Sequence, residues 1–116
     1  GHSFGATWGG VIAGVEPRIH IFVLMAGYAQ VSKNDTPEVP DLDAILYVGH
    51  ASGAAFLFQF AEKDEYVRPE EARQYYAAAG GEKSIEWYDT THFDLQEAGQ
   101  AGRLAWLAEH LGFPAP

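Results

Sequence analysis

Three residues whose types can together break an acyl bond stand far apart in this chain: Ser3, Asp64 and His92. Gly1-His2-Ser3-Phe4-Gly5 carries the G-x-S-x-G pattern of a nucleophile elbow, placed just before a helical stretch. Such a turn holds its serine in a strained backbone geometry, and the flanking glycines keep side chains from colliding. The hydroxyl is then presented at a helix N-terminus, where backbone N–H groups and the helix dipole favour developing negative charge. With 13 Gly in 116 residues, the pattern arises by chance about once in twenty such chains, so its weight comes from two further residues. Asp64 follows the second expected strand in Glu62-Lys63-Asp64-Glu65-Tyr66-Val67, and His92 follows the third in Thr90-Thr91-His92-Phe93. A serine nucleophile needs a base to take its proton, and the base needs a carboxylate to fix its tautomer and stabilise its cation.

Each residue also has a plainer role open to it. Ser3 can cap a helix. Asp64 can be an ordinary loop carboxylate, with Glu62 or Glu65 serving instead, and Asp89 reads as a turn residue. His20 at a strand start, His50 in a loop and His110 in the last turn of a helix read as structural. His2 either lines a pocket or packs. Tyr28, Tyr66 and Phe93 lie beside strand ends, where they form either a substrate pocket or core. No His, Asp or Glu cluster has metal-ligand spacing, and no Gly-rich phosphate loop is present, so no metal or cofactor is expected.

The elements that must position these groups alternate. A helix over 3–13 precedes a continuous β-branched run over 19–27, which reads as a strand buried on both faces of a parallel sheet. Its Gly5, Gly9 and Gly10 are tolerable where the helix backbone closely approaches a sheet. Residues 28–40 read as a loop and 41–50 as a short helix or turn. A second buried strand covers 55–60. A helix over 69–79 opens on Pro69 with Glu70 and Glu71 behind it, and stops at Gly80-Gly81. An edge-like strand covers 84–88, and a helix over 95–111 keeps Leu104, Leu107, Ala108 and Leu111 on one apolar face. Helices alternating with strands imply an α/β fold with parallel strands, whose function sits beyond their carboxyl ends. All three candidates fall at that edge.

Composition sets limits. The chain is 47% hydrophobic, enough for a core. A net charge of −9 argues against binding nucleic acid or an anionic membrane. Zero cysteines exclude disulfides, thiolate metal sites and a cysteine nucleophile. The longest mostly apolar run, 19–29, is too short to span a bilayer, and no signal peptide is visible, so the expected location is cytoplasmic.

The order Ser, Asp, His, with Gly-His-Ser-Phe-Gly, Phe-Val-Leu-Met-Ala-Gly, Phe-Gln-Phe-Ala-Glu-Lys-Asp and Tyr-Asp-Thr-Thr-His-Phe, resembles the carboxyl-terminal half of an α/β-hydrolase. Within that superfamily the chain is similar to dienelactone-hydrolase-like and related serine esterases. The resemblance spans 1–116 as one partial domain. It implies Ser3 as nucleophile, Asp64 as acid and His92 as base, with the backbone N–H of Phe4 as an oxyanion donor and a small-molecule ester as substrate. Dienelactone hydrolases proper carry a cysteine nucleophile, so serine at position 3 favours a general esterase. A peptidase, an amidase or a non-catalytic binding module of the same fold stays open.

Only Gly1 and His2 precede Ser3. The strand leading into an elbow, and the loop giving the second oxyanion donor, are therefore expected from a missing amino-terminal segment or from another chain completing the sheet. The short region 28–48 predicts an open site without a large lid.

Overall fold

The computed structural model describes residues 1–33 and 37–114. Three strands, β1 (Ile21–Met25), β2 (Ala55–Ala61) and β3 (Glu82–Tyr88), form a parallel sheet in the order β1-β2-β3. Ile21 lies opposite Ala55, and Ala55 opposite Glu82. The helices are α1 (Phe4–Val15), α2 (Pro69–Ala78), α3 (Leu95–Ala98) and α4 (Gln100–Leu111).

Strand β2, Ala-Phe-Leu-Phe-Gln-Phe-Ala, is buried at every position because it has a strand on each side and helices over both faces. Its side chains alternate between two cores. Phe56, Phe58 and Phe60 join Phe22 and Leu24 against α1 and α2. Ala55 and Leu57 face Trp106 of α4, with Ile21, Val23 and Leu107 packed alongside. Tyr75 of α2 ties its layer together: its hydroxyl donates to the Ala6 carbonyl at 2.7 Å, and its ring meets Phe58 edge-on.

Several expectations shift. Strand β1 is shorter than 19–27, and only Phe22 and Leu24 are fully buried, because the sheet ends at β1 and α4 covers its other face only in part. Strand β3 begins two residues earlier than expected and is partly exposed, as an edge strand should be. The region 41–50 holds three 3-10 turns, at Pro40–Leu42, Ala44–Leu46 and Val48–His50, and another lies at Val31–Lys33. Part of the expected loop, 34–36, falls outside the described residues.

The expected helix over 95–111 is broken at Gly99, where a Cβ would lie 2.8 Å from the Gln59 side-chain oxygen. Its inward face is set by Arg103 and Trp106, so Leu104 and Leu111 are exposed instead of buried. Helix α1 buries Ala6, Thr7, Gly10 and Ala13, which lie on one face over successive turns. It leaves Phe4, Trp8, Ile12 and Val15 exposed on another, whereas the sequence reads as a helix buried on most sides.

The glycines of α1 also differ in what they do. A Cβ on Gly9 would approach Leu24 of the sheet to 2.6 Å, but at Gly10 it would collide with the Tyr75 hydroxyl, and at Gly5 it meets nothing within 4 Å. The close approach to a sheet therefore accounts for Gly9 alone.

Candidate functional site

The C-terminal end of the sheet brings three loops together. Residues 1–3 lie beside the end of β1: Met25 donates its N–H to the Gly1 carbonyl at 2.9 Å, and Ser3 donates to the Met25 carbonyl at 2.8 Å. Asp64 stands three residues beyond β2 and His92 four beyond β3.

Ser3 has φ 57° and ψ −121°, a conformation that non-glycine residues rarely adopt and that costs of order 1–3 kcal/mol. The turn is tight enough that a Cβ on Gly1 would collide with the Gly5 backbone. Gly1 is thus sterically required, while Gly5 is open to solvent and not required by contacts among the described residues. Ser3 makes no capping bond to α1. Its Oγ instead lies 3.0 Å from His92 Nε2.

His92 Nδ1 lies 2.7 Å from Asp64 Oδ2. A carboxylate only accepts, so Nδ1 carries the proton, Nε2 is left as an acceptor, and the Ser3 hydroxyl donates to it. The other Asp64 oxygen accepts from the N–H groups of Tyr66 (2.8 Å) and Val67 (2.9 Å), which locks the carboxylate in a local turn. The His92 and Asp64 side chains are 2% and 1% exposed. Glu62 and Glu65 are exposed, and neither is the partner of His92. Asp89 forms a surface ion pair with Lys63 at 2.8 Å.

The N–H of Phe4 is the first of α1 and therefore has no acceptor within the helix. It lies next to the Ser3 hydroxyl in sequence and belongs to the positive end of the helix dipole. A cavity of about 350 Å³ is lined by Ser3, His92, Phe4, Thr7, Tyr28, Tyr66 and Phe93. Apart from His92 its walls carry no ionisable group other than phenols. Phe4, Tyr66 and Phe93 are exposed to 51%, 58% and 61%, so their rings face open space in place of a core. Tyr66 and Phe93 each also meet the His92 ring edge-on, at 4.8 and 5.0 Å.

The expected site residues thus gather in one place, with one difference: His2 is not among the residues lining the cavity. Its ring sits behind, 4.9 Å from that of His92. Thr7 escapes a motif-based reading although it lies one turn after Ser3 on the same helix face. Its hydroxyl donates to the Tyr28 carbonyl (3.1 Å) and accepts from the Tyr28 N–H (3.2 Å), fixing the loop after β1 over the site. Among the described residues no group of three or more His, Cys, Asp or Glu is placed to hold a metal ion.

No protein-family model matches the sequence, and no curated protein matches it. Solved structures do. The esterase domain of a Rhodothermus marinus protein superposes with a TM-score of 0.75 at 17% identity, over 94% of this chain and 58% of that one. The enol-lactonase from Burkholderia xenovorans LB400 gives 0.68 at 14% identity, over 97% and 64%. The chain has the α/β-hydrolase fold. It spans 58% and 64% of the lengths of these two neighbours. The tight turn at 1–5 leads into α1, and α4 follows the last of the three parallel strands. Among the described residues no helix is long and apolar enough to cross a membrane.

Proposed function

We propose that the chain is the carboxyl-terminal part of a serine hydrolase of carboxylic esters. The observation that carries this reading is the unbroken hydrogen-bonded line from Ser3 Oγ through His92 to Asp64, with the serine held at positive φ and free of any capping bond. In the reaction His92 Nε2 takes the hydroxyl proton as Oγ attacks the ester carbonyl. Asp64 holds the imidazolium that results. The Phe4 N–H donates to the oxyanion of the tetrahedral intermediate. Collapse expels the alcohol, which takes the proton from His92, and leaves an acyl group on Ser3. Water, deprotonated by His92, then releases the acid. The two neighbours, an esterase domain and an enol-lactonase, both carry names of ester-cleaving proteins, which agrees with this chemistry. Serine at position 3 supports a general esterase within the dienelactone-hydrolase-like group, and the cavity's uncharged aromatic walls suit small neutral esters.

We also propose that an amino-terminal segment, or another chain, extends the sheet beyond β1. Among the described residues, β1 is bonded on the side away from β2 only by residues 1–3, and α1, which packs against β1 at Gly9, leaves the stripe Phe4, Trp8, Ile12 and Val15 exposed. Such an addition covers the apolar stripe and brings the second oxyanion donor.

Turnover of a p-nitrophenyl ester by the completed protein tests the enzymatic reading. Ser3→Ala and His92→Ala are each expected to lower kcat by about 10⁴-fold or more. Turnover that survives both substitutions would sink it.

A further inference from the structure

His2, the residue between Gly1 and Ser3, makes contacts that the proposed reaction does not use. Its Nε2 lies 2.8 Å from the backbone carbonyl oxygen of His92, ninety positions away in the chain. A carbonyl only accepts, so His2 Nε2 carries a proton and donates it. That tautomer leaves Nδ1 as an acceptor, and the side-chain nitrogen of Gln96 lies 3.4 Å from it, a weak contact in the matching sense. Gln96 is itself held, since its carbonyl accepts from Arg103 Nη2. The other guanidinium nitrogen, Nη1, donates to Gln59 Oε1 at 2.8 Å, and Gln59 is fully buried in the central strand. A chain of polar contacts therefore runs from the middle of the sheet, through Arg103, Gln96 and His2, to the backbone of the residue bearing the imidazole.

From this geometry we infer that His2 is a positioning residue for His92, an inference that rests on the esterase reading above. His92 is set at two points: Asp64 fixes its ring through Nδ1, and His2 fixes its backbone from the strained turn that carries Ser3. Both reacting groups are thereby referenced to the same five-residue turn. Without the His2 bond, the His92 backbone keeps its neighbours' ties, Thr90 carbonyl to Lys63 N–H and Thr91 carbonyl to Leu95 N–H, but its own carbonyl loses its link to the elbow. The 3.0 Å separation of Ser3 Oγ from His92 Nε2 then rests on the Asp64 bond and on ties that do not reach the turn carrying Ser3. A misplacement of about 1 Å at such a pair costs on the order of 100-fold in rate.

The test compares His2→Ala, His2→Phe and His2→Gln with the wild type in the completed protein, using one p-nitrophenyl ester and thermal unfolding. Gln places an amide N–H close to where the ring presents Nε2–H, while Phe keeps the ring and loses the donor. The expected result is a kcat about 10- to 100-fold lower for Ala and Phe with KM unchanged, substantial recovery in Gln, and melting temperatures that do not follow the order of the kcat values. Wild-type kcat in His2→Phe, or an equal loss in Phe and Gln that tracks their melting temperatures, overturns the positioning role. If His2→Ala fails to fold, the Phe and Gln pair decides alone. Should wild-type turnover prove independent of Ser3, the esterase reading falls and this inference with it; Ser3-dependent turnover indifferent to His2 removes only the inference.

Discussion

At the residue scale, the decisive feature is that Ser3 does not cap its own helix. A serine before a helix ordinarily turns its oxygen onto the N–H two or three residues on. Here the backbone at φ 57° carries the side chain toward His92 instead. The types and chain order of Ser3, Asp64 and His92 were legible in the sequence because each follows a strand or opens a helix. The choice of Asp64 over Glu62 and Glu65 was legible only as a preference. It is decided by the local turn in which Asp64 accepts from Tyr66 and Val67, leaving its second oxygen for His92. His2 was legible as a neighbour of the site but not in its role, since its partner lies ninety residues away and no spacing rule connects them. Asp64→Asn keeps the shape of the turn but can present an amide N–H to His92 Nδ1, which favours the wrong tautomer. The expected loss in kcat is about 10⁴-fold with the fold intact, measured by ester turnover beside circular dichroism. Near-normal turnover in a folded variant would show that Asp64 does not set the tautomer.

At the scale of elements, apolar patterning and stop signals marked the three strands and the stretches of α1, α2 and α3–α4, but not the turn at Val31–Lys33 or the break at Gly99, and packing between distant elements set their limits. The break at Gly99 depends on Gln59, forty residues earlier, and the inward face of α4 depends on Arg103 reaching the same side chain. Neither contact leaves a local signal. The same holds for α1 and α2, joined where the Tyr75 hydroxyl donates to the Ala6 carbonyl in space that Gly10 leaves open. Burial pushes the Tyr75 hydroxyl well above its ordinary pKa of 10. In the unfolded chain it ionises near 10, so the folded state binds the proton more tightly. The stability this contributes is intact below pH 10 and is lost as pH rises beyond it. Tyr75→Phe is expected to cost about 0.5–1.5 kcal/mol at neutral pH, and the gap to wild type should narrow above pH 10 because phenylalanine cannot ionise. Urea unfolding of both proteins at neutral and alkaline pH checks this; a gap that widens with pH contradicts it.

At the scale of the whole molecule, 116 residues and 47% hydrophobic composition were compatible with a self-sufficient core. Composition could not reveal which apolar side chains would remain uncovered. The structure leaves the stripe Phe4, Trp8, Ile12 and Val15 of α1 exposed, and the chain spans 58% and 64% of the esterase domain and the enol-lactonase it resembles. The 116-residue chain produced alone is therefore expected to associate or to lack turnover, and co-expression with the completing segment to restore both monodispersity and activity. Size-exclusion chromatography with mass measurement reads this directly, and a stable, active monomer of 116 residues would contradict it. The central claim, that Ser3 is an acylated nucleophile, is tested most directly by treating the completed protein with a fluorophosphonate and mapping the adduct by peptide mass spectrometry. The expected result is a single adduct on Ser3, absent from Ser3→Ala and strongly slowed in His92→Ala. A wild-type protein left unmodified at Ser3 would contradict the account.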